Sequence, residues 1–188
     1  MNLLLENNFS SNFSVIIRPA EIKDIQGVVE VLTTSFYPPT GLLFWFYPLF
    51  KLGIYEDLRS RLGVNRPYYV CLVATLANDQ VIATVEVALR PASGFSLLGA
   101  KYPYISNLAV IPAYRRQGVA RKLLIRCEQI AWEWGYQQLS LHVLADNYQA
   151  QQLYLAKGYL VEKVDSGLED WFFNRPQKLL MVKSLKKP

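Results

Sequence analysis

The stretch Ile105-Ser-Asn-Leu-Ala-Val-Ile-Pro-Ala-Tyr-Arg-Arg-Gln-Gly-Val-Ala120 passes from strand to helix with three features in step. Pro112 ends the strand, since it has no N–H to give to a ladder. Arg115 and Arg116 open the connection. Gly118 and Ala120 then lead a helix with no bulky side chain at either position. From Gly118 to Trp134, the residues Val119, Ala120, Leu123, Leu124, Cys127, Ile130, Ala131 and Trp134 form one apolar stripe at helical spacing, and Gly135 accepts the left-handed cap conformation. Unpaired N–H groups at a helix start, together with the helix dipole, favour an anion, and small residues let a phosphate approach the backbone. Arginine adds a fork that matches phosphate oxygens. The segment therefore reads as a site for a pyrophosphate-sized anion, against the plainer alternative of an α/β junction with surface arginines.

Working outward, Val15–Arg18 is a short β-branched run and predicts a first strand. Glu21–Phe36 carries Ile22, Ile25, Val28, Val29 and Leu32 at helical spacing, and Leu52–Leu62 predicts a second helix bounded by Pro48 and Pro67. Tyr68–Leu76 and Val81–Leu89 are strand-like runs joined by Ala77-Asn78-Asp79-Gln80, a hairpin signal. After the strand Tyr102–Ile111 and the helix already described, Gln138–Leu144 alternates and reads as a strand. Asn147–Lys157 is a short helix closed by Gly158, and Tyr159–Val164 and Lys178–Leu185 are the last strands. The order is β-α-α-β-β-β-α-β-α-β-β, a single mixed α/β domain over 15–185 behind a flexible N-terminal tail at 1–14. Strand adjacency does not follow from this order.

The chain has 188 residues, 52% hydrophobic, with a formal net charge of +5. Length and hydrophobicity exclude a disordered or low-complexity chain and fit one domain. Cys71 and Cys127 lie in apolar contexts without metal-ligand spacing and read as reduced core thiols. The longest apolar run, Leu42–Phe50, is interrupted by Pro48 and is too short for the roughly 20 residues of a bilayer span. It reads as a buried helix or loop of the core, with an aromatic substrate wall or partner-facing patch, or a membrane-surface attachment, as the alternatives. No signal-peptide pattern is present, so the expected location is cytoplasmic. Residues 87–127 contain Arg90, Lys101, Arg115, Arg116, Arg121, Lys122 and Arg126 and no acid, so much of the positive charge falls on the anion-site segment. Nucleic-acid binding is not expected, because these bases open a helix whose other face is core.

Arg115-x-x-Gly118-x-Ala120 resembles the (Gln/Arg)-x-x-Gly-x-(Gly/Ala) signature of the Gcn5-related N-acetyltransferases. The preceding Asn107-Leu-Ala-Val-Ile-Pro112 looks like that family's bulged central strand. Asn147-x-x-Ala150-x-x-Leu153-Tyr154-x-x-x-Gly158-Tyr159 is similar to its second landmark. Neither a Walker-type Gly-Lys-Ser/Thr nor a dinucleotide fingerprint is present. The resemblance covers residues 68–165 well and the first 67 only by element order. It implies an acyl-CoA N-acyltransferase fold, with a centrally splayed sheet flanked by helices, and acetyl-CoA as co-substrate without a metal.

The resemblance also implies roles. The pantetheine arm would pair with backbone groups of Leu108, Ala109 and Val110. The pyrophosphate would sit on the amides of Arg116, Gln117, Gly118, Val119 and Ala120, with Arg115 and Arg121 nearby, while Asn147 would hydrogen-bond the cofactor arm and Ala150 would also contact the cofactor. Tyr154 would protonate the departing thiolate, and the acceptor amine would attack directly, without an acyl-enzyme. Relatives place a Glu on the central strand as base, but positions 102, 104 and 106 here are Tyr102, Tyr104 and Ser106. Glu86 on the neighbouring strand is the best carboxylate candidate. His142, the only histidine, reads as a structural residue or a second candidate, and a water chain held by tyrosine hydroxyls is a third. Asn107-Leu-Ala-Val resembles the ribosomal-protein-type branch, and the aromatic insertion Tyr37–Tyr55 resembles plastid and cyanobacterial members. Together they imply a protein or peptide α-amine or lysine as acceptor. A small-molecule amine, or a degenerate acetyl-CoA-binding regulator, is the alternative; a monomer or homodimer is expected.

Overall fold

A computed structural model describes residues 14–36, 47–64, 66–91, 101–165 and 177–186. The expected tail at 1–14 and most of the insertion at 37–55 lie outside the described residues, apart from Ser14 and the start of the second helix. The elements are β1 (Ile16–Pro19), α1 (Ile25–Phe36), α2 (Tyr47–Leu62), β2 (Tyr69–Thr75), β3 (Val81–Pro91), β4 (Lys101–Val110), α3 (Val119–Glu133), β5 (Gln138–Leu144), α4 (Tyr148–Ala156), β6 (Leu160–Asp165) and β7 (Lys178–Ser184). The order matches the sequence reading. Two boundaries differ by more than two residues. A 3-10 turn, Ile22–Asp24, precedes α1. α2 starts at Tyr47 rather than at Leu52, because Pro48 falls in the first turn, where its missing N–H has no helical partner to lose. Leu49 is 63% exposed, so that part of the apolar run is not core.

Seven strands form one sheet in the order β1-β2-β3-β4-β5-β7-β6. Neighbours are antiparallel except for the parallel pair β4 and β5. The β2–β3 turn works as its residues suggest: Asp79 takes φ +63°, and Asn78 Oδ1 accepts the Gln80 N–H at 3.2 Å. Helices cover both faces. On one, α3 buries Val119, Leu123, Leu124, Cys127, Ile130 and Ala131 against Leu72, Val85, Val87, Ile105, Leu139 and Leu141. On the other, α1 and α2 bury Ile25, Val28, Val29, Leu32 and Leu58 against Val73, Val81 and Ala109. At about 1.5–3 kcal/mol for each large apolar side chain removed from water, these two layers are the main driving force for the fold. Both cysteines are free and buried in the core, as expected, and burial pushes the Cys71 thiol up to about 12. No helix among the described residues is long and apolar enough to cross a membrane.

Candidate active site

The parallel pair β4–β5 is joined at only two positions, Tyr104 with Ser140 and Ile105 with Leu141. Beyond Ile105 the strands part, so Ser106–Val110 stays paired with β3 but not with β5. The splay coincides with a bulge. Thr84 pairs with Ala109 and Glu86 with Ser106, so Val85 alone faces both Asn107 and Leu108. Asn107 has φ +55°, a left-handed backbone rare outside glycine. Leu108, Ala109 and Val110, expected to meet the cofactor arm, thus line a gap between strands that an extended polar chain can fill. The Val110 carbonyl, however, already accepts Arg115 Nε at 2.9 Å, so Arg115 braces the end of β4.

Below the gap lies the loop to α3. Arg116 (φ +63°) and Gly118 (φ +79°) both take left-handed backbone. Gly118 is the N-cap of α3, and a Cβ added there would meet no protein atom within 4 Å. That open space borders the first N–H groups of a fifteen-residue helix, Val119, Ala120 and Arg121, and leaves room for a phosphate. Val119 itself points into the core, so it offers only its amide. Gln117 folds back, donating Nε2 to the Ala113 carbonyl at 3.1 Å. Arg116 and Arg121 are exposed beside the loop.

Asn147 caps α4, its Oδ1 accepting the Ala150 N–H at 3.1 Å; this leaves the Asn147 amide nitrogen, and not the Ala150 N–H, for any ligand. Tyr154, on the same helix, is 8% exposed. Burial first, then the neighbouring Tyr104 and Cys127, raise its phenol to about 12, so at neutral pH it is a proton donor. Its ring packs edge-on against Tyr159, with centroids 5.9 Å apart.

Glu86 is placed very differently from an exposed strand residue. It lies in the middle of the sheet at 2% exposure. Its Oε2 accepts the Arg61 guanidinium of α2 and the Tyr69 hydroxyl (3.1 Å), and its Oε1 accepts Asn107 Nδ2 (2.8 Å). Three donors, one of them a cation, occupy the carboxylate.

The structure also joins three residues from three strands. Tyr104 Oη lies 3.0 Å from His142 Nδ1, and His142 Nε2 lies 2.9 Å from Asp165 Oδ2. Lys163 first, and then His142, hold the Asp165 carboxyl below its ordinary range. An ionised Asp165 requires the hydrogen on Nε2, which leaves Nδ1 to accept from the Tyr104 hydroxyl. The Arg90 guanidinium stacks 3.6 Å from the Tyr104 ring centroid. Burial raises the Tyr104 phenol, with Arg90 opposing the rise. Sequence reasoning considered His142 singly. Only the β4–β5 pairing and the distant Asp165 join it to Tyr104 in a chain.

A sheet splayed beside a bulged strand, with an anion-binding turn at its base, is the architecture of an acyl-CoA-dependent N-acyltransferase. Comparison with known proteins gives the same class. The acetyltransferase (GNAT) family model matches residues 31–159, and the chain belongs to that family. Over 174 residues it is 30% identical to GCN5-related N-acetyltransferase 10, chloroplastic, of Arabidopsis thaliana, covering 85% of this chain and 67% of that protein. It is 36% identical over 188 residues to GCN5-related N-acetyltransferase 4, chloroplastic, of the same plant, covering 81% of this chain and 63% of the relative. The chain thus spans about two thirds of the length of these relatives. Among solved structures, the PaiA N-acetyltransferase of Thermoplasma acidophilum in complex with coenzyme A aligns with TM-score 0.64 at 20% identity, over 91% of this chain and 99% of that one, a likeness of fold.

Proposed function

We propose that the protein transfers the acetyl group of acetyl-CoA to a primary amine of a protein or peptide, an α-amine or a lysine, by direct attack. The observation that carries the reading is the splay: the β5 side of Ser106–Val110, left without a strand partner, ends at the open space beside Gly118, an arm-and-phosphate layout that suits coenzyme A. When bound, acetyl-CoA supplies an activated acetyl thioester. The chain's own groups do the rest. Amides of Arg116–Ala120 hold the phosphates, and the bulged strand orients the arm. The Tyr154 phenol delivers its proton to the departing sulfur; the same burial that raises the phenol also raises the basicity of a thiolate beside it.

The amine must lose a proton. Glu86, the sequence's first candidate, has its carboxylate committed to Arg61, Tyr69 and Asn107, whereas the Tyr104–His142–Asp165 chain is arranged to accept one. As Tyr104 Oη takes the amine's proton, its own hydroxyl proton passes to His142 Nδ1. The imidazolium so formed is held by Asp165, and its quarter-exposed ring releases the proton to water. His142→Gln should lower turnover on a responsive peptide about 10²–10⁴-fold at neutral pH, with the deficit narrowing as pH rises past the amine's own pKa. Unchanged turnover would remove the chain from the mechanism.

The peptide acceptor is supported by exposed apolar side chains where α1 ends and α2 begins: Phe36 (51%), Leu49 (63%) and Leu52 (56%). Such a surface suits a peptide better than a small polycationic amine. Incubation with acetyl-CoA and a peptide library, read by mass spectrometry, tests it; products confined to small-molecule amines would overturn the acceptor class. The reading requires a compartment supplied with acetyl-CoA. The cytoplasm was expected from the sequence, while the two plant relatives are named as chloroplastic.

A further inference from the structure

The residue that bends the cofactor strand is held by the carboxylate that sequence reasoning took for a base. A left-handed backbone costs an ordinary non-glycine residue roughly 5–30-fold in population and asparagine less, so a hydrogen bond to the Asn107 side chain can decide whether its φ stays at +55°. Among the described residues, the Asn107 side chain bonds to Glu86 Oε1, donating at 2.8 Å. Glu86 is itself fixed from the other side, by Tyr69 on β2 and by Arg61, whose guanidinium also pairs with Asp57 one turn earlier on α2. A line of polar contacts, Asp57–Arg61–Glu86–Asn107, exposed at Asp57 and buried at Glu86, therefore runs from the helix beside the proposed acceptor surface to the bulge beside the proposed cofactor arm. Within it Glu86 is poorly placed to serve as a base: it is 2% exposed, it accepts three donors, and taking a proton would break its pairing with a largely buried arginine.

We propose that Glu86 is a positioning residue which latches the β4 bulge through Asn107, and that the proton acceptor lies elsewhere. With the latch closed, the register of β4 slips by one residue against β3, and Leu108–Val110 face the splay. With it open, Asn107 relaxes toward regular β backbone and those groups turn away. Arg61 and Tyr69 aim the carboxylate. This inference rests on acetyl-CoA being the ligand of the splay, and it makes Glu86 matter for cofactor affinity rather than for proton transfer.

The test is calorimetric titration of the full chain with acetyl-CoA, combined with steady-state kinetics on a responsive peptide. Glu86→Gln should raise the acetyl-CoA Kd and KM about tenfold, while kcat at saturating acetyl-CoA and its pH profile stay close to the parent's. A general base would do the opposite, lowering kcat about 10²–10⁴-fold at unchanged Kd. Glycine adopts φ +55° without a latch. Adding Asn107→Gly to Glu86→Gln should therefore recover most of the lost affinity, and adding Asn107→Ala should not. Should Glu86→Gln fail to fold, Asn107→Ala in the otherwise native chain should show the same loss of affinity and Asn107→Gly should not. Native affinity in Glu86→Gln or in Asn107→Ala, or a loss confined to kcat, overturns the latch. Failure of the unmodified chain to bind acetyl-CoA strikes instead at the functional reading beneath it.

Discussion

The proposed role of Tyr154 as proton donor depends on its surroundings. Burial holds it protonated up to about 12, so its proton is available at any pH at which the enzyme works. Tyr154→Phe keeps the packing on Tyr159 and removes only the donor. It should lower kcat by about 10²–10⁴-fold with little change in acetyl-CoA affinity, as read by stopped-flow thiol release and calorimetry; full turnover would refute the assignment. A second residue-scale device is structural. Asp24 is 4% exposed, accepts both guanidinium nitrogens of Arg18 (2.6 and 2.9 Å) and accepts the Glu21 N–H (2.8 Å), fixing the turn that leads into α1. The Arg18 hydrogen bonds hold its carboxyl below the usual range. Its contribution is therefore present above the unfolded carboxylate pKa of about 3.9 and is lost as pH falls through the lower folded value. Asp24→Asn should cost about 2 kcal/mol at pH 7, less than a fully buried pair because Arg18 is 21% exposed. In urea titrations the gap between the two proteins should close only below the ordinary carboxylate range.

At the scale of elements, the α3 start and the α1–sheet contact each depend on a missing Cβ. At Gly118 the reason is conformation and ligand. With φ +79° and open space around it, an alanine would be strained by roughly 1–2 kcal/mol yet would touch no protein atom. Gly118→Ala should therefore weaken acetyl-CoA binding by more than its loss of folding stability, since the methyl group enters that space. At Gly27 the reason is packing. A Cβ there would lie 2.8 Å from the Val81 side chain, so Gly27→Ala should destabilise by about 1–3 kcal/mol in urea, with KM unaffected. The first glycine was legible in the sequence because helix periodicity starts beside it and two arginines precede it. The second was not, since only the approach of α1 to β3 gives it meaning. The same division runs through the site. The loop, Asn147 and Tyr154 follow one another along local elements and could be read in order. The Glu86 latch and the Tyr104–His142–Asp165 chain could not, because they join residues from separate strands and a helix, and the sequence did not specify which strands touch. Asn147 was legible as a landmark, but its capping of Ala150 needed the helix start to be placed to the residue.

At the scale of the whole molecule, the sheet is two parts held by one short parallel seam. β1–β4 carry α1 and α2, β5–β7 follow on the far side, and two paired positions join β4 to β5. Beyond that seam the halves are linked chiefly by the layer of α3 and the strands beneath it. A ligand lying along Ser106–Val110 with its phosphates on the α3 start touches the two structures that define the gap, and it binds the folded state alone. At a hundred times its Kd such a ligand adds about 2.7 kcal/mol, which for a chain of this length corresponds to roughly 5–11 °C in Tm. Arg116, Arg121 and Lys122 stand exposed at the phosphate end, and the surrounding stretch 87–127 has no acid. Exposed charges are screened within about 10 Å at 0.1 M salt and 3 Å at 1 M, so the Tm gain from acetyl-CoA at fixed concentration should shrink as salt is raised. Arg116→Ala should shrink it at low salt and flatten the salt dependence, because one of the screened charges is gone. Thermal scans with and without acetyl-CoA across a salt series measure both effects. A gain in Tm that ignores salt would place the ligand away from the α3 start, and no gain at all would leave the splay without the ligand its geometry fits.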